Sequence, residues 1–165
     1  MTYIGVGVGL ALVLQFVRVF RMPQGGSVSL ETLPIVILAF AFGPRIGMLS
    51  GLLFGILQLM LDAYIVHPVQ LLLDYPLPFA AIGLAGLWKE RKALSLALAY
   101  FLRFLFHFIS GVVFFGEYAP EGSNVLVYSA VYNGSYLIPE AIIVGLVGVW
   151  LWRRIESRGF ISLEG

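Results

Sequence analysis

The sequence predicts an all-α integral membrane protein, a bundle of six transmembrane helices with both termini in the cytoplasm. Three observations predict this fold. Sixty per cent of the 165 residues are hydrophobic and 12% are charged, whereas a soluble domain has roughly 45–50% apolar and about 25% charged residues. Six apolar segments follow one another with short breaks, and lysine and arginine concentrate on one side of the resulting topology. We expect residues 1–165 to form a single domain in a cell membrane.

Each predicted helix is an apolar run of about the 20 residues that a span needs. The runs cover residues 3–20, 27–43, 45–66, 68–88, 93–116 and 125–152. Proline, glycine or clustered charges separate them, and these residue types end helices. The second run is a full span only if it begins in the polar stretch 27–31. The first run has no basic residue ahead of it and no Ala-x-Ala pattern, so we expect a retained helix and not a cleaved signal peptide.

The basic residues of the short loops predict the orientation. With both termini inside, the cytoplasmic side holds seven lysines and arginines and the outer side holds Arg18 and Arg21. Cytoplasmic loops carry such an excess of positive charge. The loops at residues 21–26, 66–68 and 117–124 are therefore predicted to lie outside. The net charge of +1 and the placement of the basic residues at segment ends give no indication of nucleic-acid binding.

Glycines at four-residue spacing predict close helix contacts. The third helix carries four of them in succession, Gly43, Gly47, Gly51 and Gly55. Such residues let helix backbones approach closely, and here we favour packing inside the protein. The first helix repeats the pattern at Gly5 and Gly9, where packing within the protein and contact with a partner subunit are equally open.

Four ionisable residues lie well inside the predicted spans and away from their ends, where each costs roughly 2.5–3.5 kcal/mol. They are Asp74, Arg103, His107 and Glu140. Asp74 precedes two prolines, which free backbone carbonyls nearby, and this environment suits a ligand with cationic and donor groups. The structural alternative is an ion pair between Asp74 and Arg103. For Glu140 we favour hydrogen bonding between helices.

Two helices carry stripes of polar and aromatic residues at helical spacing. The stripe on the fifth helix is Arg103, His107, Gly111 and Phe115. We expect the glycine to leave a hollow between the imidazole and the ring, although a lone histidine on an apolar helix is more often a core residue. The stripe on the sixth helix is Ser129, Asn133, Tyr136 and Glu140, flanked by Tyr128 and Tyr132. Such residues also hydrogen-bond helices together.

These stripes predict one outward-facing pocket. Most of their polar and aromatic residues fall in the outer halves of the helices, as do Tyr64, Asp74 and Tyr75. Aromatic faces with one carboxylate, one imidazole and one amide suit a flat, partly cationic small molecule. The loop at residues 23–26 has the glycines of a lid.

The motifs of soluble energy-coupling and hydrolytic enzymes do not occur in the sequence. It has no G-x-x-x-x-G-K-[ST] loop, no HExxH and no G-x-S-x-G. Cysteine is absent, which excludes disulfides and thiolate metal sites. We expect no cofactor, no metal and no enzymatic activity, so active transport would need energy from another subunit.

Three runs resemble one family in order and spacing. They are residues 63–75, 106–115 and 127–134. They resemble the thiamine-specific substrate-binding (S) components of energy-coupling-factor (ECF) vitamin importers, and the similarity spans nearly the whole chain. The chain departs from the family pattern at Asp74, where a glutamate is common, and at Phe115, where a tryptophan is common.

The resemblance implies a six-helix protein of the prokaryotic plasma membrane that captures thiamine near the outer surface. It would associate with a transmembrane coupling protein and two ATPase subunits. The implied thiamine-binding residues are Tyr64, Asp74, Tyr75, His107, Gly111, Phe115, Tyr128 and Asn133. Gly5 and Gly9 resemble the small-residue face that meets the coupling protein. We expect Asp74 to bind as a carboxylate and His107 as a neutral ring, because an imidazolium would repel the thiazolium cation of thiamine.

Three alternatives remain open at this point. The chain could be an S component for another vitamin, because the pocket residue types alone do not separate vitamins. It could be an intramembrane enzyme that uses Asp74 and His107 as an acid and base pair. It could also be a purely structural helical scaffold, which predicts no ligand.

The charge bias yields a test of orientation. Single cysteines are introduced at Glu90 and Ser123, and whole cells are treated with a membrane-impermeant thiol reagent. The cysteine at position 123 should be labelled and the cysteine at position 90 should not. The chain has no cysteine of its own, so the unmodified protein is the blank. Labelling at position 90 without labelling at position 123 would reverse the orientation.

Overall fold

The computed structural model describes residues 1–61 and 63–158. The predicted single domain extends over residues 1–165, and Asp62 and residues 159–165 lie outside the described part. The elements run in the order α1 (Thr2–Leu14), β1 (Arg18–Arg21), β2 (Ser27–Ser29), α2 (Leu33–Phe42), α3 (Pro44–Leu61), α4 (Pro68–Asp74), α5 (Pro76–Ile82), α6 (Lys92–Phe114) and α7 (Val125–Ser157). Two 3₁₀ turns, Gly83–Gly86 and Gly116–Tyr118, follow α5 and α6.

The predicted bundle of six helices is confirmed when α4, α5 and the turn after them count as one broken helix. Four of these segments are long and apolar enough to cross a membrane, namely Pro44–Leu61, Pro68–Gly86, Lys92–Phe114 and Val125–Ser157. The helices α1 and α2 are shorter, with 13 and 10 residues. At 1.5 Å per residue α2 is about 15 Å long, which is about half of the hydrocarbon core.

A β-hairpin occupies the region where the first helix was predicted to end and the second to begin. The first helix stops at Leu14 instead of residue 20, and β1 pairs antiparallel with β2. Gly25 and Gly26 form the turn with φ of +90° and +87°, values that favour glycine. The pairing satisfies the backbone groups of this segment without a helix. The second helix therefore starts only at Leu33, with a proline in its first turn, where proline is tolerated.

Three of the four glycines predicted to pack inside the protein do so from α3, whereas Gly43 ends α2 with φ +84° and has no atom of the described residues within 4 Å of its Cβ position. A Cβ atom on Gly51 would overlap the main-chain carbonyl of Phe79 in α5. A Cβ on Gly55 would lie 2.6 Å from the carbonyl oxygen of Tyr75, and one on Gly47 would lie 2.8 Å from the Cα of Gly83. The missing side chains thus let the backbone of α3 lie directly against α5 and its following turn.

The three loops that were predicted to lie outside meet at one end of the bundle, which we call the hairpin end. There the hydroxyls of Tyr64 and Tyr118 are 3.0 Å apart, and the hairpin contacts Tyr132 of α7. At the opposite end Lys92 lies 3.9 Å from Glu156. The topology of the loops therefore agrees with the predicted arrangement, while the side of the membrane that each end faces stays a prediction from the charge bias.

The contact between α3 and α5 predicts an asymmetry between two glycine substitutions. Gly51→Ala should lower the free energy of unfolding by about 1–3 kcal/mol, because backbone must move to admit the methyl group. Gly5→Ala is the matched control, since no atom of the described residues lies within 4 Å of its Cβ position, and it should be neutral or slightly stabilising. Thermal unfolding of both purified variants in detergent checks this. Equal midpoints would mean that α3 and α5 are not in close contact.

Candidate ligand-binding site

One cavity at the hairpin end collects every predicted ligand-binding residue. The residues that line it include Tyr64, Asp74, Tyr75, His107, Gly111, Phe115, Tyr128 and Asn133. Its volume is about 140 Å³, and its walls come from the hairpin, α3, α4, α5, α6 and α7. The cavity thus brings together side chains that are up to 69 positions apart in the sequence.

A break in the fourth predicted helix places Asp74 at the cavity. Helix α4 starts after His67, whose Nδ1 accepts a hydrogen bond from the Val69 amide at 3.1 Å. It ends at Asp74, and Tyr75 leaves the helical conformation with φ −121° and ψ −81°. Pro76 then begins α5, and a proline disfavours the helical conformation for the residue before it. The prediction of one continuous helix over residues 68–88 was therefore wrong at this point.

The Asp74 carboxylate accepts hydrogen bonds from three side chains. Gln70 donates to Oδ2 at 2.7 Å and Ser110 donates to the same oxygen at 2.9 Å. The other oxygen, Oδ1, lies 3.1 Å from Nδ1 of His107. The ion pair with Arg103 that we considered as the structural alternative is not formed, because the carboxylate partners of Arg103 are Glu140 and Glu31.

Aromatic rings surround the mouth of the cavity. The ring centroids of Tyr64 and Phe115 are 6.0 Å apart, and those of Phe115 and Tyr118 are 6.2 Å apart. The hydroxyl of Tyr75 accepts a hydrogen bond from the Tyr64 amide at 2.6 Å. The segment that carries Tyr64 is therefore tied to the helix break beside Asp74.

The floor between α6 and α7 is held by an amide network. Asn133 donates from Nδ2 to the carbonyls of Ser129 at 3.0 Å and His107 at 3.2 Å, and its Oδ1 accepts from the Tyr136 hydroxyl at 3.0 Å. A Cβ on Gly111 would overlap the hydroxyl of Ser129. The glycine therefore allows α7 to approach α6, and the hollow expected beside it is partly filled by Ser129.

The hairpin turn covers the cavity from the side of α7. The Tyr132 hydroxyl accepts a hydrogen bond from the Gln24 amide at 2.9 Å and donates to the Gly25 carbonyl at 3.0 Å. A Cβ on Gly26 would lie 2.7 Å from the ring of Tyr136. The segment that was predicted to be a lid is thus docked on α7 in this structure.

A buried charge network lies next to the cavity. Arg103 Nη1 is 2.8 Å from Glu140 Oε1, and Arg103 Nη2 is 3.6 Å from Glu31 Oε1. The same oxygen of Glu140 accepts hydrogen bonds from Thr32 at 3.0 Å and from Tyr100 at 3.2 Å. Glu140 of α7 therefore contacts α6 and the start of α2. This is the hydrogen bonding between helices that was predicted for it.

The sequence analysis missed seven residues that line the cavity, namely Arg18, Arg21, Ser27, Glu31, Gln58, Gln70 and Phe79. Glu31 and Gln58 line the cavity beside Arg103, and Gln70 lines it beside Asp74. Gln70 carried a local signal, because it precedes Asp74 by four positions on one helix face. Glu31 and Gln58 had no such signal, since their contact joins distant segments at 3.4 Å.

Comparisons with known proteins agree on one family. The sequence model of the family described as thiamine transporter protein (Thia_YuaJ) matches residues 1–158. The chain is 43% identical to the thiamine transporter ThiT of Bacillus subtilis (strain 168), over 76% of this chain and 74% of that protein. It is 36% identical to the thiamine transporter ThiT of Lacticaseibacillus paracasei, over 81% and 76% of the two chains.

Two solved structures share the fold. ThiT from Listeria monocytogenes matches with a TM-score of 0.85 at 24% identity, and the S component of a bacterial ECF transporter matches with 0.65 at 20% identity. Each match covers 94% of both chains. The arrangement of helices is therefore that of these membrane proteins.

Proposed function

This chain belongs to the thiamine transporter family, and from this premise we propose that it binds thiamine in the cavity at the hairpin end, as the S component of an ECF-type importer. The family membership confirms the resemblance seen in the sequence. The family and both relatives are named as transporters and not as enzymes. The pairing of Asp74 with His107 is thus better explained by ligand binding than by acid and base catalysis.

The observation that carries the proposal is the Asp74 carboxylate in a cavity walled by aromatic rings. Thiamine joins a thiazolium cation to an aminopyrimidine ring, so it offers one positive charge and two flat faces. The carboxylate provides the opposite charge, and the rings of Tyr64, Phe115 and Tyr128 provide faces for a flat cation. Ligand sites typically combine apolar walls with a few placed polar groups in this way.

The proposal also includes a partner that supplies energy. The chain has no phosphate-binding loop, so ATP hydrolysis must take place on other subunits. In the ECF arrangement these are two ATPases, joined to the S component through a transmembrane coupling protein. We assign the contact with the coupling protein to the face of α1 that carries Gly5 and Gly9.

The geometry of α1 supports this assignment. Gly5 and Gly9 are exposed, and within residues 1–61 and 63–158 no atom lies within 4 Å of either Cβ position. The face also exposes Val6 and Leu10, whereas Gly7 on the opposite face packs against Leu38 of α2. The two glycines are therefore not used for packing inside this protein, and their open face allows a second helix to approach closely.

Thiamine binding and its dependence on Asp74 are tested together. Native mass spectrometry of the purified protein should show one bound thiamine. Asp74→Asn should weaken binding by about 2 kcal/mol or more, because it removes one partner of a buried charged contact. Glu90→Gln is the matched control, since this exposed carboxylate lies outside the cavity. Unchanged thiamine affinity in a folded Asp74→Asn protein would place the binding site elsewhere.

Filling the open face of α1 should abolish thiamine transport and leave thiamine binding intact. With Leu at both Gly5 and Gly9, cells should stop accumulating thiamine, while the purified protein binds it with near-normal affinity. The pair Val6→Leu and Leu10→Val is the control, because it keeps an apolar surface without filling the glycine positions. Loss of both activities would make the glycines packing residues of this protein. Survival of both would move the contact to another helix.

A further inference from the structure

Gln70 has a fixed orientation, because all its polar atoms are engaged. The side chain is buried, and its Oε1 accepts a hydrogen bond from the Val66 amide at 3.1 Å. A backbone N–H can only donate, so this contact identifies the carbonyl side of the glutamine amide. The NH₂ group then donates one hydrogen to the Tyr64 carbonyl at 3.0 Å and the other to Oδ2 of Asp74 at 2.7 Å.

The fixed orientation of Gln70 determines which oxygen of the Asp74 carboxylate faces His107. Ser110 donates a second hydrogen bond to Oδ2 of Asp74, so this oxygen faces two donors and Oδ1 faces the imidazole. A carboxylate only accepts hydrogen bonds, so Nδ1 of His107 carries the hydrogen. In the neutral ring Nε2 is then left with its lone pair.

The second nitrogen of His107 has no partner in the part of the chain that the structure describes. Nε2 is buried and makes no hydrogen bond among the described residues, and the ring lines the cavity. Buried polar groups are nearly always paired in native structures, and this ring borders the cavity in which a ligand would lie. The unpaired atom therefore points to a hydrogen-bond donor on the ligand.

We propose that Gln70 and Ser110 are positioning residues: they hold the Asp74 carboxylate against Nδ1 of His107, the carboxylate fixes the hydrogen of the neutral ring on Nδ1, and Nε2 is left to accept an N–H or O–H of the bound ligand. The ligand's identity rests on the proposed function, whereas the tautomer does not. Thiamine carries two donors of this kind, the amine of its pyrimidine ring and the hydroxyl of its hydroxyethyl group. A site that presents an acceptor rejects an analogue that lacks the matching donor, because the buried acceptor is then left unpaired.

The same geometry predicts how Asp74→Asn changes the tautomer of His107. In Asp74→Asn the two donors from Gln70 and Ser110 hold the amide oxygen on their side, so the NH₂ group faces His107. It then donates to Nδ1, and the hydrogen of the neutral ring moves to Nε2. The cavity now presents a donor where it had an acceptor.

Nitrogen NMR of the ligand-free protein tests the tautomer directly. The chain has two histidines, and His67→Asn leaves His107 as the one imidazole while keeping a side chain that caps helices well. In this background the neutral ring should carry its hydrogen on Nδ1, and on Nε2 after the further change Asp74→Asn. A hydrogen on Nε2 in the protein with Asp74, or the same tautomer in both proteins, overturns the proposal. The spectrum with Asp74 decides the assignment even if the second variant does not fold.

Binding of three compounds identifies the ligand donor. These are thiamine, its analogue with an oxo group in place of the pyrimidine amine, and its analogue without the hydroxyl. The protein should prefer thiamine over whichever analogue lacks the donor that meets Nε2, and Asp74→Asn should reduce that preference by about tenfold or more. Equal affinity for all three compounds overturns the proposed contact with Nε2.

A third variant separates positioning from a general loss of structure. Adding Gln70→Leu and Ser110→Ala to Asp74→Asn frees the amide to turn, so the ring should no longer be held in one tautomer. A single Nε2–H tautomer in this protein would contradict the role of Gln70 and Ser110. Absence of thiamine binding with the predicted tautomers would count against the proposed function alone, and thiamine binding with the opposite tautomer would count against this inference alone.

Discussion

The buried pair of Arg103 and Glu140 is the interaction on which the rest of the structure depends. Their side chains are 3% and 0% exposed and 2.8 Å apart, and a buried charge without a partner is strongly destabilising. Glu31 and two hydroxyl groups complete the network, which ties the start of α2 to α6 and α7. Because Arg103 is engaged by these carboxylates, the negative charge of Asp74 remains available for a cationic ligand.

Backbone constraints determine the position of the Asp74 carboxylate. Glycines on α3 bring its backbone against α5, and the proline at position 76 separates α5 from α4. The resulting break turns Asp74 into the cavity without exposing unsatisfied backbone to lipid, because the broken segment is covered by α3 and α6. The α6 side of the site then follows from helical spacing, which aligns His107 and Gly111 on one face, and Phe115 follows as the C-cap of the helix.

The features that could be predicted from the sequence are those that depend on residues close together in the chain, and the features that could not depend on contacts between distant segments. Apolar runs and the cost of charge in a bilayer are local properties, so the number of helices and the eight candidate residues that gather at the cavity could be predicted. The hairpin could not, because its strands have four and three residues and lie within or beside apolar runs. The partners of Arg103 could not either: the sequence analysis considered only Asp74, and the packing of α2 against α7 places Glu31 and Glu140 there instead. The contribution of Gln70 depends on the helix break, which the proline pair suggested but did not locate.

The fixed polar groups also explain how a small cavity could discriminate between vitamins. Gln70, Ser110 and Asn133 have their donors engaged within the protein, so their orientation is set before a ligand arrives. Groups that are already ordered lose little conformational entropy on binding, and more of the interaction energy remains as affinity. The same rigidity makes a mismatched ligand costly, because the site cannot turn an acceptor into a donor without breaking contacts that hold α4, α6 and α7 together. Selectivity for a cation with correctly placed donors is therefore a property of the fold around the cavity as much as of the residues that touch the ligand.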